Sequence, residues 1–394
     1  MPAKAQVEDK IRSMLIANYE ACGLKKNKPI ALYTDAVSLQ LPKLPKAHNL
    51  VELLVIDDKT GVPSGKGKRQ IPKKINGIKW GDGGAEFKDR IAFARQDHVL
   101  TVYDCAKKTM VAAAKAPWTQ CMAMHKNKVV SGGMDNAVTV WDVQSGKLAE
   151  KKKIVEHDGY ISSLVMSKDG TKYFSSAGDG DSRLVDLAKS TTITRFCGHT
   201  KDALSLNFAR DDEGQKLFAT CSSDLTVKLW DVVSGKCVAD LKGKPGVGMF
   251  PSYCRRGLDA PVAAYNTCAM FPMEKMYVAA GGVGDFVYLF DIRTQTMVTA
   301  YRRDNQDVTS LAWSSSGRVL YAGEDDGSII VWDIYTNDGE NRSYSEKKQA
   351  HVAYDHANNI DKTQSVVQSL AVSEDGILAS GGFDSKVILW QRGA

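Results

Sequence analysis

Residues 224–237 read DLTVKLWDVVSGKC, and this stretch decides the fold because the chain repeats its pattern. An Asp stands six residues before the Trp of a Trp-Asp pair, and apolar residues alternate between them. Alternation of this kind predicts a short β-strand with one face buried. The Asp is expected in a tight turn before the strand, where its carboxylate can accept hydrogen bonds from nearby backbone N–H groups.

Seven segments close in the same way, with a hydrophobic residue followed by Asp or, in the last one, Gln. They end at Tyr103-Asp104, Trp141-Asp142, Val185-Asp186, Trp230-Asp231, Phe290-Asp291, Trp332-Asp333 and Trp390-Gln391. The spacings are 38, 44, 45, 60, 42 and 58 residues. Four of them fit a unit of about 40–45 residues, and the two long ones predict insertions at residues 242–263 and 337–365. Six positions before the closing residues stand Asp97, Asp135, Asp179, Asp224, Gly284, Asp326 and Asp384.

This pattern resembles the WD-repeat family, whose fold is a ring of four-stranded sheets. The resemblance implies an all-β, seven-bladed β-propeller over residues 66–394. The turn Asp residues and Trp141, Trp230, Trp332 and Trp390 are then expected to be scaffold. In the fourth unit, we expect a buried set of His199, Asp224, Trp230 and a hydroxyl from Thr220 or Ser222. Because the last unit ends at the chain terminus, its outer strand must come from residues 67–74 or 49–56.

Composition narrows the class of function. Hydrophobic residues make up 43% and charged residues 25% of the chain, and the net charge is +6, as is usual for a soluble globular protein. We therefore expect no nucleic-acid partner. Metal-ligand spacing, a nucleophile elbow and a P-loop are missing from the sequence, and the glycine-rich runs at 81–87 and 281–286 fall where turns belong. We expect no enzyme, no catalytic residue, no metal and no cofactor. The eight cysteines, without a secretory signal, are expected to be reduced.

The N-terminal segment has a helical pattern of its own. Residues 5–22 lack Gly and Pro, and Val7, Ile11, Met14 and Asn18 form one stripe of a helix. This predicts an N-terminal helix within residues 1–24, followed by a connector at residues 25–65. The stripe either pairs with a partner helix in a coiled coil or folds back on the propeller. A basic run at residues 59–74 is interpreted as a solvated charged segment, with binding to an anionic membrane surface or an acidic partner as the alternative.

A narrower resemblance rests on strings that run in order through the chain. They are APWTQC (116–121), SGGMDN (131–136), HDGYIS (157–162), CGHTKDALSL (197–206), VTSLAWSSSGRVLYAGEDD (308–326) and VQSLAVSEDGILASGGFDS (367–385). Together with the N-terminal helix they are similar to the β subunits of heterotrimeric G proteins. The resemblance implies a signalling subunit that binds a GDP-bound Gα subunit, a small Gγ-like chain and effector proteins. The Gγ-like chain would pair with the face formed by Val7, Ile11, Met14 and Asn18.

In that family one end of the propeller contacts Gα and effectors. The positions that match in residue type are Lys74, Trp118, Met134, Asn136, Tyr160, Asp202, Leu204 and Asn266. Departures from the family pattern are Asn76, Gln120, Ala264, Val283 and Phe383. We expect a cytoplasmic protein that reaches the inner face of the plasma membrane only through a lipidated partner. The alternative is a WD-repeat scaffold in a larger assembly, such as a kinase or ribosome anchor or a cytoskeletal or ciliary component, without GTPase partners.

Overall fold

The computed structural model describes residues 50–57, 74–209, 214–242, 264–272, 277–284, 286–302, 306–337, 343–350 and 365–392. These residues form 28 β-strands joined by turns, with no helix among them. None of the described segments is therefore a helix that could cross a membrane. The predicted N-terminal helix, its stripe of Val7, Ile11, Met14 and Asn18, the basic run up to residue 73 and most of both predicted insertions lie outside the described residues.

The strands assemble into seven four-stranded blades. Blade 1 consists of β2 (Ile75–Trp80), β3 (Arg90–Arg95), β4 (Val99–Asp104) and β5 (Thr109–Lys115), and blade 2 of β6 (Thr119–His125), β7 (Lys128–Gly133), β8 (Ala137–Gln144) and β9 (Gly146–Val155). Blade 3 consists of β10 (Ile161–Met166), β11 (Lys172–Ala177), β12 (Ser182–Asp186) and β13 (Thr191–Phe196), and blade 4 of β14 (Ala203–Phe208), β15 (Leu217–Ser222), β16 (Thr226–Asp231) and β17 (Lys236–Lys242). Blade 5 consists of β18 (Ala264–Met270), β19 (Tyr277–Val283), β20 (Phe286–Asp291) and β21 (Thr296–Arg302).

Blades 6 and 7 complete the set. Blade 6 consists of β22 (Val308–Trp313), β23 (Val319–Glu324), β24 (Ser328–Asn337) and β25 (Ser343–Gln349). Blade 7 takes its three inner strands from β26 (Val367–Val372), β27 (Leu378–Gly382) and β28 (Lys386–Arg392), and its outer strand from β1 (Leu50–Asp57). The range 337–365, predicted as an insertion, thus contains the outer strand of blade 6. That strand pairs with β24 from Ser328↔Gln349 to Asn337↔Ser343, so the extra residues of this repeat are fewer than its spacing indicates.

The ring closes through β1, which pairs antiparallel with β28 from Leu50↔Arg392 to Asp57↔Lys386. Of the two candidate closing segments, 67–74 and 49–56, the second one supplies the strand, which spans Leu50–Asp57. This strand lies within the range assigned to the connector, so the ring begins before residue 66. The first strand of each blade contacts the first strand of the next, and β26 contacts β2. The seven-bladed propeller predicted from the repeats is confirmed.

Blades 1 and 2 are joined at their outer edges as well. Strands β5 and β9 pair in parallel over Ala112↔Gly146 and Ala113↔Lys147, so the two blades form one continuous eight-stranded sheet. Elsewhere the hydrophobic core lies in layers between neighbouring blades. Between blades 3 and 4, for example, it contains Phe174, Phe196, Phe218 and Trp230. The alternation of apolar residues along each strand supplies these layers, because successive side chains point to opposite faces of a sheet.

Side chains of the inner strands also join the blades. At five seams, a side chain of one inner strand donates a hydrogen bond to the carbonyl of the first residue of the next inner strand. The pairs are Asn76–Thr119, Cys121–Ile161, Ser162–Ala203, Asn266–Val308 and Thr309–Val367. At the seam between blades 4 and 5, Cys221 of β15 donates to the carbonyl of Tyr265, the second residue of β18. Between blades 7 and 1, the Trp80 indole donates to the Ala371 carbonyl at 3.1 Å. These polar groups in the wall of the ring therefore find partners across the seams, as burial requires.

Candidate partner-binding rim

The scaffold residues are most complete in blade 4. The Trp230 indole N–H donates to Thr220 Oγ1 at 2.8 Å, and Thr220 Oγ1 lies 2.7 Å from His199 Nε2. His199 Nδ1 lies 2.9 Å from Asp224 Oδ2. These contacts form one directed series in which Trp donates to Thr, Thr to His, and His to Asp, provided that the imidazole is neutral. The predicted buried set is confirmed, and Thr220 supplies its hydroxyl.

Other blades retain parts of this series. In blade 3, His157 bonds Asp179 and the Ser175 hydroxyl, while Val185 stands in place of the Trp. In blades 2 and 7, the indoles of Trp141 and Trp390 donate at 2.8 Å to the hydroxyls of Ser131 and Ser380. In blade 6, Trp332 stacks on Tyr301 with ring centroids 5.5 Å apart.

The predicted turn aspartates fall between the second and third strands of their blades. In four blades the carboxylate accepts the backbone N–H two residues later, as in Asp179–Asp181, Asp224–Thr226, Asp326–Ser328 and Asp384–Lys386. Asp97 instead forms a bidentate ion pair with the buried Arg95, and Asp135 pairs with Lys153 at 2.9 Å. Blade 5 has Gly284 at this position, and its N–H donates to the Asp307 carboxylate of blade 6.

The pKa shifts of Asp224 and His199 favour the protonation states that the hydrogen bonds of blade 4 require. Burial alone would raise the pKa of Asp224, but hydrogen bonds from Thr226, the Thr200 N–H and His199 outweigh it and lower this pKa to about 2. Burial lowers the pKa of His199 below its ordinary value, and the partly compensating bond to Asp224 does not reverse the shift. At neutral pH a neutral imidazole therefore lies between a hydroxyl and a carboxylate. This arrangement is structural, since both of its ends are buried in the blade.

One end of the ring, where the inner strands begin, is here called the rim. The residue before the inner strand has the same backbone contact in six blades: its carbonyl accepts the N–H at the start of the turn between the second and third strands. The pairs are Lys74–Gln96, Trp118–Met134, Tyr160–Gly178, Asp202–Ser223, Asp307–Asp325 and Val366–Phe383. Lys74, Trp118, Tyr160 and Asp202 are thus equivalent positions of blades 1–4, and all four lie on the rim.

Two large exposed apolar side chains of the rim lie together in blade 2. Trp118 is 42% exposed and Met134 is 53% exposed, and they are neighbours through the backbone hydrogen bond between them. The edge of the Trp118 indole meets the His98 ring of blade 1 at a centroid distance of 6.1 Å. The Gln120 amide donates to the Met134 sulfur at 3.3 Å. Large exposed side chains held in this way can bury apolar area on a partner.

Tyr160 and Asp202 form a pair across the seam between blades 3 and 4. The Tyr160 hydroxyl donates to Asp202 Oδ2 at 2.7 Å. Burial, followed by this hydrogen bond, raises the pKa of Tyr160, so the phenol stays protonated at neutral pH. The bond fixes the position of the carboxylate on the rim, and a fixed carboxylate presents a defined negative charge to a cationic group of a partner.

The remaining predicted rim residues lie at two kinds of position. Asn136 is in the β7–β8 turn, where its amide donates to the Asp158 carbonyl at 3.4 Å. Leu204 is the second residue of β14 and Asn266 the third residue of β18, and at both a bulge interrupts the pairing with the next strand. The Asn266 amide donates to the Val308 carbonyl at 3.2 Å. Lys74 Nζ lies 4.1 Å from the ring centroid of Phe383, which joins blades 1 and 7.

Sequence reasoning missed several rim residues. The residue after the turn Asp has a positive φ in six blades: at Asn136, which was predicted, and at His98, Gly180, Leu225, Gly327 and Ser385, which were not. Leu225 is 42% exposed there. A second missed feature is acidic: Asp307, Asp325 and Asp326 lie together on blade 6, and burial together with the charges of Asp307 and Asp326 raises the pKa of Asp325. The residues with positive φ could have been found from the sequence, because each of them directly follows a turn Asp.

Comparison with known proteins agrees with this architecture. The WD40 family model, described as "WD domain, G-beta repeat", matches residues 190–231, 295–333 and 355–391. The chain therefore contains WD repeats. It is similar to the guanine nucleotide-binding protein subunit beta of rice (Oryza sativa subsp. japonica), with 28% identity over 77% of each chain. The maize (Zea mays) subunit beta is 27% identical over 77% of each chain, and subunit beta-5b of zebrafish (Danio rerio) is 27% identical over 77% of this chain and 70% of its own.

The chain is thus similar, at modest identity, to proteins named as G protein β subunits. Among the described residues, no three His, Cys, Asp or Glu side chains are arranged to hold a metal ion. The six described cysteines are free thiols, of which Cys221 and Cys268 are buried and Cys197 and Cys237 exposed.

Proposed function

We propose that this WD-repeat protein is a non-catalytic signalling subunit whose rim binds a GDP-bound Gα-like GTPase and, after its release, effector proteins. One observation carries the proposal: Trp118 and Met134 stand exposed on the same end of the ring as the fixed Asp202 carboxylate. An apolar anchor beside a positioned charge combines the two contributions that tight protein interfaces use, burial for affinity and charge for register.

The proposal extends to the membrane and to a second partner. The predicted N-terminal helix, with its stripe of Val7, Ile11, Met14 and Asn18, pairs with a small Gγ-like chain, and a lipid on that partner brings the complex to the inner face of the plasma membrane. Otherwise the protein is cytoplasmic. Nucleotide exchange on the Gα-like subunit uncovers the rim without reshaping the ring.

The test is a nucleotide-dependent purification from the cells that express the protein. Tagged protein is recovered from extracts equilibrated with GDP or with a non-hydrolysable GTP analogue, and mass spectrometry identifies the retained chains. We expect a Gα-like GTPase with GDP and its loss with the analogue. Retention of a small prenylated chain under both conditions would support the Gγ-like partner.

Matched variants connect the result to the rim. Trp118→Ala is expected to weaken GTPase retention by roughly thirty-fold, or about 2 kcal/mol, as for a central interface anchor. Val233→Ala is the control, because Val233 is 83% exposed but lies in the β16–β17 turn at the opposite end of the ring. Recovery of another assembly regardless of nucleotide, with no GTPase, would instead favour the scaffold function.

A further inference from the structure

His125 is a buried imidazole outside the rim. It ends β6 at the opposite end of the ring and is 4% exposed. Neither Nδ1 nor Nε2 has a hydrogen-bond partner among the described residues. His157 and His199 differ in this respect, because each contacts a carboxylate through one nitrogen and a hydroxyl through the other. An unpaired buried polar group costs free energy of folding, and of these three histidines only His125 bears that cost.

The imidazole lies between loops of two other blades. A Cβ on Gly83, in the β2–β3 loop of blade 1, would lie 2.9 Å from His125 Cε1. A Cβ on Gly170, in the β10–β11 loop of blade 3, would lie 2.4 Å from His125 Cδ2. Both glycines have positive φ, 99° and 68°. The ring therefore fills the space between the two loops, and its Nε2 has no room there for a side-chain partner.

Contacts at this end of the ring join the blades in series. The Lys126 N–H of blade 2 donates to the Asp82 carbonyl of blade 1 at 2.7 Å. The Lys168 N–H of blade 3 donates to the Gln215 side chain of blade 4 at 2.9 Å. Between these two bonds, blades 2 and 3 meet through the packing of His125 on Gly170. At this end of the ring, the contact between blades 2 and 3 therefore depends on the shape of the imidazole and on apolar packing.

The charged groups around His125 do not neutralise an imidazolium directly. Burial is the largest influence and lowers the pKa of His125; Asp82 and Asp169 oppose it, and Lys126 and Lys128 reinforce it. Both carboxylates are already used within their own loops. Asp82 accepts the Gly83 N–H at 2.6 Å, and Asp169 accepts from the Ser167 hydroxyl and from the N–H and hydroxyl of Thr171.

We propose that His125 is a proton-sensitive contact between blades 2 and 3: the neutral ring packs between the loops, and protonation drives the loop at residues 167–171 away to admit water. The sign follows from linkage. The closed arrangement favours the neutral ring. The closed loop is therefore most stable at a pH above the ordinary pKa of histidine, and it loses stability as the pH falls below that pKa. For each unit by which the pKa of His125 differs between the open and closed arrangements, protonation changes the opening equilibrium about tenfold.

Hydrogen exchange on the full chain tests the proposal. Protection of amides in residues 81–89 and 167–172 is compared at about pH 7.5 and about pH 5.5, the range over which histidines titrate, after correction for intrinsic exchange rates. We expect protection of the 167–172 loop to fall on acidification in the native protein. The turn at residues 134–136, on the rim, is the internal reference, and the protection of its amides should not change between the two pH values.

Substitutions assign the effect to one imidazole. His125→Leu should abolish the pH response of the 167–172 loop, and His125→Gln should do the same if the leucine variant does not fold. His98→Gln, which removes an exposed histidine of the rim, should leave the response unchanged. Persistence of the response in the folded Leu or Gln variant would overturn the proposal, as would a native protein whose 167–172 loop keeps equal protection at both pH values.

Discussion

At the scale of single residues, Thr220 shows how one hydroxyl organises a blade. It accepts from the Trp230 indole and contacts His199 Nε2, and so connects the third strand of blade 4 to the segment before its first strand. Ser222, the other candidate, lies two residues further along the same strand face. Its hydroxyl accepts the Asp224 N–H at 3.0 Å instead. The sequence could not distinguish the two, because residues i and i+2 of a strand point to the same side.

Replacing Thr220 with Val should destabilise the protein by about 2–3 kcal/mol, because the shape is kept while the buried indole N–H and imidazole nitrogen lose their partner. Urea unfolding followed by tryptophan fluorescence measures the difference. Thr192→Val, at an exposed position of β13, is the matched control and should change the free energy of unfolding by less than about 0.5 kcal/mol. Equal effects of the two variants would show that the series in blade 4 adds no stability.

At the scale of elements, every inner strand carries a bulge near its start, at the second residue in six blades and at the third residue in β18, and the rim depends on it. In β6 the register shifts between Thr119 and Cys121, which leaves Gln120 unpaired with β7. Gly133, at the end of β7, fits against this irregular segment. A Cβ there would lie 1.8 Å from the Trp118 carbonyl oxygen. Since that atom belongs to the backbone, it cannot move aside alone, and the position of Trp118 on the rim follows from the glycine.

Gly133→Ala should therefore destabilise blade 2 by about 1–3 kcal/mol, as overpacking usually does. It should also shift the fluorescence of the protein, because the Trp118 segment has to move. Gly214→Ala is the control: its new Cβ would meet only the flexible Lys216 side chain, at 3.1 Å or more. Thermal unfolding of both variants measures the effect, and an unchanged Gly133→Ala midpoint would contradict the packing described for β7.

At the scale of the whole molecule, the ring depends on a strand from the other end of the sequence. Ile56 of β1 packs in one cluster with Ile75 and Phe93 of blade 1 and Leu389 of blade 7. It therefore stabilises the closing blade and the seam beside it. Leu53 in the same strand is 44% exposed, whereas Leu50 and Ile56 are buried.

Ile56→Ala should lower the free energy of unfolding by about 2–4 kcal/mol, as expected for a large-to-small change in a core. Leu53→Ala, in the same strand, should cost less than about 0.5 kcal/mol. Denaturant unfolding of the full chain compares the two. If both variants behave alike, β1 does not close the ring in solution.

The sequence by itself determined the number of blades, the turn aspartates and the series from Trp230 to Asp224. These features repeat at short range, and alternation and turn chemistry are local properties of a chain. It also indicated, through family resemblance, residues that the structure places on one end of the ring; their binding of a partner stays a prediction. Tertiary structure decided which strand closes blade 7, that Trp118 stays exposed while Tyr160 is tied to Asp202, and that His125 lies between two loops. Each of these depends on contacts between residues tens to hundreds of positions apart, and no local pattern encodes such contacts.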